Sequence, residues 1–556
     1  MFIRTKTTPN SPRKSIQVVD GRRDASGKVK QRIVRHVGIA HNEDEEMKLK
    51  AIGEEFILAE KARAERESRQ MSLFPNDSLT IQKGRPKKKR IEDIIPVSEV
   101  RLNQVEEVAR IVEGVHEVGG CVYDSIGFDS LMERKRDKAI LKDIVLSRMV
   151  SPDSKMGLQK QLSGQFAKEH DLDSIYRMMD KLHGGIATIK ELCFNSTKSL
   201  IPNKEVTMLF FDVTTLYFES TDTDELRAFG YSKDHRFNTT QPVLALATNE
   251  DGLPLGYELF SGNTAEVTTL LKAIRGWSDY LNIKDVCFVA DRAMFSRENL
   301  AALDESGYRY IVAAKLKTLK GDVKEKILAE ESYKPTVLGK HLAWVSDIEY
   351  EGKRLITSYK SSRAMNDAKN RREVLDKIEK TIGQRGSTKK LISNSGVKKY
   401  TTTANSITQI DQDKIAADAM WDGLHGVITN DKNMDAAAVI ARYAGLWVIE
   451  DSFRINKHNL QMRPIFHYTP KRIEAHIAIC YMGFAIIKYL QYKVALTQKI
   501  SPREIMRSLL GVQASILQHK ITGDLYRMPG VFKQEARKIY KTFGVARSSG
   551  AEVYYN

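Results

Sequence analysis

The feature that most constrains the fold is a series of short apolar segments that begins at residue 204. Three strand-like segments come first, "VTMLFFDVTTLYFE", "QPVLALATNE" and "LPLGYELFSG". A helical segment then covers about 264–281, "DVCFVADRAMF" is a strand that ends at Asp291, a helix starts near Ser296, and "YRYIVAAK" is a further strand. The order β-β-β-α-β-α-β predicts an α/β fold with one mixed sheet flanked by helices.

This order of elements is that of an RNase H-like core, and the remaining sequence divides around it. A chain of 556 residues is too long for one compact domain. We predict an N-terminal hairpin with a charged helix that binds DNA (1–81), a basic linker (82–95), a helical DNA-binding domain (96–203), the first part of the core (204–315), a β-rich insertion (316–415), the second part of the core (416–495) and a helical C-terminal region (496–556).

The charge of the chain points to a polyanionic partner. Lys and Arg number 88 against 71 Asp and Glu, which gives a net charge of +17 and favours nucleic acid or an anionic membrane surface. The longest apolar stretch, 477–487, is too short to span a bilayer, and the first residues contain no apolar signal segment. The four cysteines form no C-x-x-C pair. We therefore expect nucleic acid as the partner, no membrane, and a reducing compartment.

Two N-terminal segments are candidates for contact with DNA. Residues 15–38 alternate apolar and basic positions around a turn, which predicts a hairpin with one basic face. The segment "QKGRPKKKR", 82–90, contains six basic residues and no apolar one. It fits a solvated linker, and it also resembles an AT-hook, in which Arg85, Lys87 and Lys88 would enter a minor groove. Both interpretations remain open.

Three carboxylates are the candidate catalytic residues. Asp212 and Asp291 each end an apolar strand, and the two strands are neighbours in the predicted sheet, so both side chains would open into one crevice. Glu450 lies on a long predicted helix, 434–458. Tyr443 and Lys457 stand seven residues to either side of it, a spacing that returns a helix to nearly the same face.

Three converging carboxylates without cysteine ligands suit Mg²⁺ or Mn²⁺. Two such ions can hold the attacking and the leaving oxygen of a phosphodiester. In this hypothesis Asp212 bridges the two ions, Asp291 and Glu450 complete the two sites, and Lys457 holds a backbone phosphate. Taken singly, each carboxylate also has an ordinary interpretation as a turn, ion-pair or surface residue.

The segments "FFDVTTLYFES", "FVADRAMF" and "YAGLWVIEDSFRINK" together resemble the DDE transposases of bacterial insertion sequences. The similarity is to the branch with a Tyr-x2-Arg-x3-Glu-x6-Lys signature. Here that signature has Tyr443, Glu450 and Lys457, but Leu446 replaces the arginine. Arg442 and Arg454 are candidates to supply the missing contact. The first-aspartate motif of the family matches Asp212 with Thr214 and Thr215 behind it.

The resemblance implies a transposase that binds terminal inverted repeats, cleaves DNA at the element ends and joins the freed 3′-hydroxyl to target DNA. It also implies two Mg²⁺ or Mn²⁺ ions, double-stranded DNA as partner, a homodimer in a synaptic complex, and a place in the bacterial cytoplasm with the nucleoid. Relatives often use the insertion to handle a flipped or hairpinned end. Trp344 is a candidate to stack on an extruded base, although packing is the more ordinary role for such a residue.

Further residues have two interpretations each. Arg292 beside Asp291 would contact DNA or form an ion pair. His235 and Arg236 lie in a polar loop and would contact DNA or the metal site. Asp422 would be an accessory carboxylate or a turn residue. Two other functions compete with the transposase: a stand-alone nuclease with the same core, and a catalytically silent DNA-binding repressor derived from a transposase.

Overall fold

The computed structural model describes residues 2–7, 14–23, 29–40, single positions between 43 and 57, 102–218, 223–229, 240–277, 286–291, 296–338, 341–382, 399–404, 407–496 and 500–554. The chain divides into two compact units, Met1–Ile94 and Ile95–Asn556. Each unit is described by itself.

The first unit contains a three-stranded antiparallel sheet. Its strands are β1 (Phe2–Thr7), β2 (Lys14–Arg23) and β3 (Val29–Ala40), in that order. The hairpin predicted at 15–38 corresponds to β2 and β3, and β1 adds a third strand. Ile16 and Val18, two positions apart on the central strand, are fully buried. The basic segment with Arg85, Lys87 and Lys88 lies outside the described residues.

The second unit contains helices and strands in alternation. The helices are α1 (Gly120–Ile126), α2 (Lys135–Val150), α3 (Lys155–Phe166), α4 (Leu172–Leu182), α5 (Ile186–Leu200), α6 (Glu266–Trp277), α7 (Arg297–Glu305), α8 (Gly321–Leu328), α9 (Ser361–Ile382), α10 (Gln412–Ala419), α11 (Ala436–Ala444), α12 (Trp447–Arg454), α13 (Pro470–Ala495), α14 (Pro502–Leu510) and α15 (Gln534–Thr542). The strands are β4 (Val105–Val112), β5 (Met208–Thr215), β6 (Pro242–Thr248), β7 (Pro254–Ser261), β8 (Cys287–Ala290), β9 (Arg309–Ala313), β10 (Lys334–Leu338), β11 (His341–Tyr350), β12 (Lys353–Tyr359), β13 (Thr401–Ala404), β14 (Ile407–Ile410), β15 (Leu424–Thr429), β16 (Gln513–His519), β17 (Leu525–Pro529) and β18 (Glu552–Val553).

A nine-stranded mixed sheet forms the centre of this unit, in the order β10-β11-β12-β15-β9-β8-β5-β6-β7. Strands β5, β6 and β7 form an antiparallel meander, and β8 and β9 run parallel to β5. Every residue of β6 is buried, as expected of a central strand covered on both faces. The predicted α/β fold, with a mixed sheet flanked by helices, is confirmed.

The insertion between the two parts of the core continues the same sheet. Its strands β10, β11 and β12 pair with one another, and β12 pairs with β15 of the second core part. The 22-residue helix α9 and the short hairpin of β13 and β14 complete the insertion. The strands predicted from "HLAWVSDIEY" and "KRLITSYKSS" are therefore the second and third strands of the central sheet, and β10 is its edge strand.

Helix α13 is the core of the helical layer on one face of the sheet. Ile477, Phe484 and Leu490 on this helix are fully buried, and α2, α4 and α5 pack around it. Among the described residues, one helix is long and apolar enough to cross a membrane, and it is this one. Its most apolar window has a mean hydropathy of 1.4 and is 94% buried inside the protein, as a core helix would be.

The terminal regions of this unit contain the predicted helices and, in addition, a sheet that the sequence did not predict. Strands β16, β17 and β18 of the C-terminal region form a four-stranded sheet with β4, in the order β18-β17-β16-β4. The predicted helical C-terminal region does contain the helices α14 and α15, but the prediction missed these three strands. Segments such as "QASILQH" and "LYRMP" mix polar and apolar residues without strict alternation, so they carry little strand signal.

The prediction of one long helix at 434–458 is also wrong in one respect. It is divided into α11 and α12 by a tight turn at Gly445, and a π-helical turn, Ile455–Asn459, follows α12. The amides of Gly445 and Leu446 donate to carbonyls three residues back, each at 3.0 Å. A Cβ on Gly445 would lie 3.1 Å from the ring of Phe210, so a glycine lets this junction pack closely on β5.

Candidate catalytic site

Asp212 and Asp291 belong to two adjacent parallel strands: Asp291 directly follows β8, whereas Asp212 is the fifth residue of β5. The prediction that Asp212 ends its strand is therefore wrong, because β5 continues to Thr215 in its pairing with β6. Phe211 of β5 pairs with Ala290 of β8, so the two aspartates are the next positions in the same register. Side chains alternate between sheet faces. Both aspartates therefore share the face of Phe210, two residues before Asp212, which packs into the same apolar core as α11 and α12. Two carboxylates thus open on one edge of the sheet, under these two helices.

A tyrosine from α11 contacts the second aspartate. The hydroxyl of Tyr443 donates to Oδ1 of Asp291 across 3.5 Å, at the long limit of a hydrogen bond. The ring of Tyr443 packs against His425 of β15, with ring centroids 5.0 Å apart. Asp212 is half-buried, and its Oδ1 accepts from the amide of Val213 at 2.7 Å. Asp212 is thus held by a short hydrogen bond, whereas Asp291 is exposed and its contact with Tyr443 is long.

Glu450 lies on α12, one helix further along the chain, and is exposed. Because the turn at Gly445 interrupts the helical period, the seven-residue spacing from Tyr443 to Glu450 and Lys457 does not place all three on one continuous helix face. Lys457 belongs to the π-helical turn and is half-buried. In the part of the chain that the structure describes, no three His, Cys, Asp or Glu side chains are grouped so that they could hold a metal ion.

The donor set at the sheet edge still suits a hard cation. Asp212 and Asp291 contribute carboxylate oxygens from adjacent strands, and such oxygens are the ligands that Mg²⁺ and Mn²⁺ prefer. Glu450 has the same chemistry and lies on a helix that packs on β5. Two of the three predicted ligands are therefore neighbours, and the third is on the adjoining helix.

Leu446, the residue that replaces the arginine of the family signature, belongs to the apolar core. Leu446 is 8% exposed and packs in the apolar cluster of the helical layer. Arg454 forms an ion pair with Asp451 on its own helix. The Arg442 guanidinium lies 3.1 Å from the sulfur of Met208, the first residue of β5 and four residues before Asp212. The two arginines that were candidates to replace the missing contact are thus engaged elsewhere.

The other predicted DNA contacts are either packed or not described. Thr214 and Thr215 are buried in β5. Trp344 packs edge-on against Tyr359 of the next strand, with ring centroids 5.9 Å apart. Asp422 forms an ion pair with Arg371 of α9. The predicted contacts outside the described residues are Arg292, His235, Arg236, Arg85, Lys87 and Lys88.

A cleft of about 780 Å³ opens beside Asp291, between the core and the insertion. Asp291, Tyr443 and His425 line its inner end, and Trp421 lines its wall. Exposed Lys315 follows β9 and is also part of the lining. The sequence analysis did not select His425, Trp421 or Lys315. The segment "WDGLHG" carried the signal for two of them, an aromatic and a histidine directly before an apolar strand.

An ionic network forms the outer wall of this cleft. Asp418 of α10 accepts from Lys399 Nζ at 2.8 Å and from the Tyr400 hydroxyl at 2.6 Å, and it also pairs with Lys317. Burial alone would raise the pKa of Asp418, but these hydrogen bonds outweigh burial and hold its pKa well below the usual range. The carboxylate is ionised and neutralised by cations, so it does not add net negative charge to the cleft.

The second carboxylate of the wall is neutralised in the same way. The guanidinium of Arg371 on α9 binds Asp422 in a two-pronged arrangement, with Nη1 at 2.6 Å from Oδ1. The remaining cations of the lining include Arg363 and Lys315, both exposed. The cleft therefore contains the candidate metal ligand Asp291 together with aromatic and cationic side chains. Such a lining is compatible with a polyanion such as DNA.

Comparison with known families gives one match. A family model described as "Transposase DDE domain" matches residues 207–484, half of the chain. The matched range starts at β5 and ends within α13, so it includes both aspartates, the insertion and Glu450. Among curated proteins, no match to the chain was found.

Proposed function

The chain belongs to the family of proteins with a transposase DDE domain, and on this premise we propose that it moves an insertion sequence. In this proposal it binds the terminal inverted repeats, cleaves DNA at the element ends and joins the 3′-hydroxyl to target DNA. The observation that carries the proposal is the register of β5 and β8, which makes Asp212 and Asp291 neighbours on one sheet face.

Asp212, Asp291 and Glu450 would hold two Mg²⁺ or Mn²⁺ ions. Such ions, when bound, activate water or a 3′-hydroxyl and neutralise the charge of the departing oxygen. The role of the chain is to place the ligands. Tyr443 orients Asp291 through its hydroxyl, and its own ring is held by His425.

Positive side chains near the carboxylates would position the DNA backbone. Lys457 lies just after α12 and would hold a phosphate as a point charge. Lys315 projects from the end of β9 into the cleft, in reach of a strand that passes Asp291. The cleft volume, about 780 Å³, is of the size that accommodates ligands larger than a single base. Trp421 in its wall is better placed than Trp344 to stack on an extruded base.

The partners follow from the same proposal. Double-stranded DNA would be bound both as inverted-repeat ends and as target, which agrees with the net charge of +17. The active form would be a homodimer that holds two ends in a synaptic complex, in the bacterial cytoplasm with the nucleoid. No membrane is involved in the proposed reaction.

The test uses a supercoiled plasmid that carries the two repeats flanking the gene. Purified protein, with and without Mg²⁺, is compared with Asp212→Asn and with Asp413→Asn, an exposed aspartate of α10 that serves as the matched control. We expect metal-dependent nicks at the repeat tips that progress to joined products, complete loss of both in Asp212→Asn with repeat binding intact, and normal activity in the control.

Other outcomes identify the competing functions. Cleavage without dependence on the repeats and without joined products would indicate a stand-alone nuclease. Repeat binding without cleavage by the unmodified protein would indicate a silent DNA-binding derivative, the reading that the core leucine at position 446 favours. Loss of repeat binding in Asp212→Asn, with normal chemistry in the complexes that do form, would contradict the metal-ligand role.

A further inference from the structure

The segment between the π-helical turn and α13, residues 460–468, alternates between inward and outward side chains. We call it the aromatic loop. Leu460, Met462 and His467 are buried, whereas Phe466 is 55% and Tyr468 is 67% exposed. Single exposed apolar residues are ordinary, but here two large aromatic rings two positions apart project from the same short segment.

Hydrogen bonds with neighbouring segments of the chain hold the backbone of the aromatic loop. Arg148 of α2 donates from Nε to the carbonyl of Leu460 at 2.9 Å and from Nη2 to the carbonyl of Gln461 at 2.6 Å. The amide of Ile465 donates to the carbonyl of Tyr217 at 3.1 Å, and Ile465 is buried. The inward-facing side chains of the loop already fill the space beneath it, and its backbone is held by these hydrogen bonds. The rings of Phe466 and Tyr468 are therefore directed to solvent.

The aromatic loop and the first turn of α13 carry Arg463, Lys471 and Arg472, of which Arg472 is paired with Asp180. The guanidinium of Arg463 lies over the ring of Tyr217, with 5.3 Å from its carbon to the ring centroid. Exposed Lys471 is in the first turn of α13, and that turn contains no acidic residue. Aromatic rings beside cations are the combination with which proteins bind unpaired nucleic acid, because every base has a face that stacks.

The aromatic loop is continuous with the proposed catalytic edge. Tyr217, whose carbonyl anchors the loop, comes five residues after Asp212, on the chain that leaves β5. Hydrogen bonds of Leu216 and Phe218 to residues 242 and 240 keep this chain extended. At about 3.3 Å per residue the separation is about 17 Å. That distance corresponds to about five stacked nucleotides of one strand.

We propose that the aromatic loop is a stacking surface for unpaired bases of the DNA strand that leaves the catalytic edge, with Phe466 and Tyr468 under the bases and Arg463 and Lys471 beside the phosphates. The inference rests on the proposed function and deepens it. A second copy of the chain is the less suitable occupant, since two basic surfaces in a protein with a net charge of +17 would repel each other.

The test measures binding rather than chemistry. Fluorescence anisotropy in Ca²⁺, without Mg²⁺, compares a blunt duplex with the same duplex carrying a single-stranded oligothymidine tail. The variant is Phe466→Ala with Tyr468→Ala. One control, Phe466→Tyr with Tyr468→Phe, keeps both rings. Another, Ile521→Ala with Val531→Ala, removes two exposed apolar side chains from the C-terminal region.

We expect the unmodified protein to bind the tailed duplex more tightly than the blunt one. Stacking contributes about 1–3 kcal/mol per base, so the double alanine variant should lose about 10- to 100-fold in affinity for the tailed duplex and less than about twofold for the blunt one. Both controls should bind like the unmodified protein.

Three results would overturn the proposal. They are equal affinity of the unmodified protein for tailed and blunt DNA, equal losses on both DNAs in the alanine variant, and a change of oligomeric state in that variant by light scattering, which would assign the rings to a protein contact. The plasmid assay separates this inference from the proposed function. If the unmodified protein gives joined products in the plasmid assay but the alanine variant binds tailed DNA normally, the stacking surface is rejected and the proposed function stands.

Discussion

The helical layer and the insertion are held to the same sheet by different forces. On the helical side, α13 buries side chains such as Ile477, Phe484 and Leu490 in one continuous apolar core. In the outer part of the insertion, the described residues of α9, α10 and the hairpin of β13 and β14 share a small apolar cluster around Ile378 and Tyr400. Their other link to the core is the ionic network of Asp418 and Asp422.

This difference determines how each region responds to its surroundings. Apolar burial depends little on pH or moderate salt, whereas partly exposed ion pairs are screened by salt and lost when carboxylates are protonated. The wall of the cleft beside Asp291 belongs to the second kind. We therefore expect the outer part of the insertion, α9, α10 and the hairpin of β13 and β14, to loosen under conditions that leave the sheet, with its strands β10–β12, and the helical layer intact.

The largest expected effect comes from opening the apolar core. Phe484→Ala removes a fully buried ring from α13 and should lower the free energy of unfolding by about 3–5 kcal/mol. The measurement is urea unfolding followed by circular dichroism. The loss should be the same in low and high salt, because no charge is involved.

The matched control for this substitution is Leu496→Ala, since Leu496 directly follows α13 and is half exposed. It should change the free energy of unfolding by less than about 0.5 kcal/mol. A small loss in Phe484→Ala, comparable to that of the control, would mean that α13 is not the main support of the helical layer.

The helical layer also contains buried lysines whose charge opposes its stability, and Lys155 is one of them. Lys155, the first residue of α3, is 4% exposed, and burial together with nearby Arg148 lowers its pKa to about 7. In the unfolded chain its pKa is near the ordinary value of 10.5. The unfolded state therefore binds the proton more strongly, and Lys155→Met should stabilise the protein, by roughly 3 kcal/mol at neutral pH.

The pH dependence gives the sign of this effect. The destabilisation by Lys155 is complete below pH 7 and disappears as the pH rises through 10.5. The gain in the Lys155→Met variant should thus shrink between these two values, as measured by thermal unfolding in matched buffers. Lys160→Met, on the same helix at an exposed position, is the control and should show no such trend. A gain independent of pH would mean that the stabilisation comes from packing of the methionine side chain and not from removal of the buried charge.

The sequence was sufficient to predict the elements that carry strong local signals. The apolar runs of β5, β6 and β8 are continuous, as buried strands require, and the cap at Ser296 is present, with its hydroxyl accepting from the amide of Asn299. The adjacency of Asp212 and Asp291 follows from the strand order alone.

What the sequence could not predict depends on contacts between distant segments. The four-stranded sheet joins β4 to strands about 400 residues later, and no local pattern records such a pairing. The turn at Gly445 exists because the helix packs closely on Phe210. His425 and Trp421 are candidates because they line the cleft beside Asp291, and the sequence alone does not show that cleft.

The smallest effect, and the most direct test of the comparison, concerns the ionic wall. Asp418→Asn removes the charge that Lys317, Lys399 and Tyr400 share and should destabilise the insertion by about 1–2 kcal/mol, a value reduced by its partial exposure to solvent. Hydrogen exchange followed by mass spectrometry should show faster exchange of residues 407–422, with no change in α13.

High salt and low pH should have the same effect on the insertion as the Asp418→Asn substitution. At 1 M salt the screening length falls to about 3 Å, so the unmodified insertion should exchange nearly as fast as the variant. The pKa of Asp418 is lowered in the folded state, so its stabilisation is present above the ordinary value of 3.8 and is lost as the pH falls below it. Asp413→Asn on the same helix is the control and should exchange normally. If α13 and the insertion instead loosened together in salt, the two regions would form one cooperative unit, and the cleft wall could not open by itself.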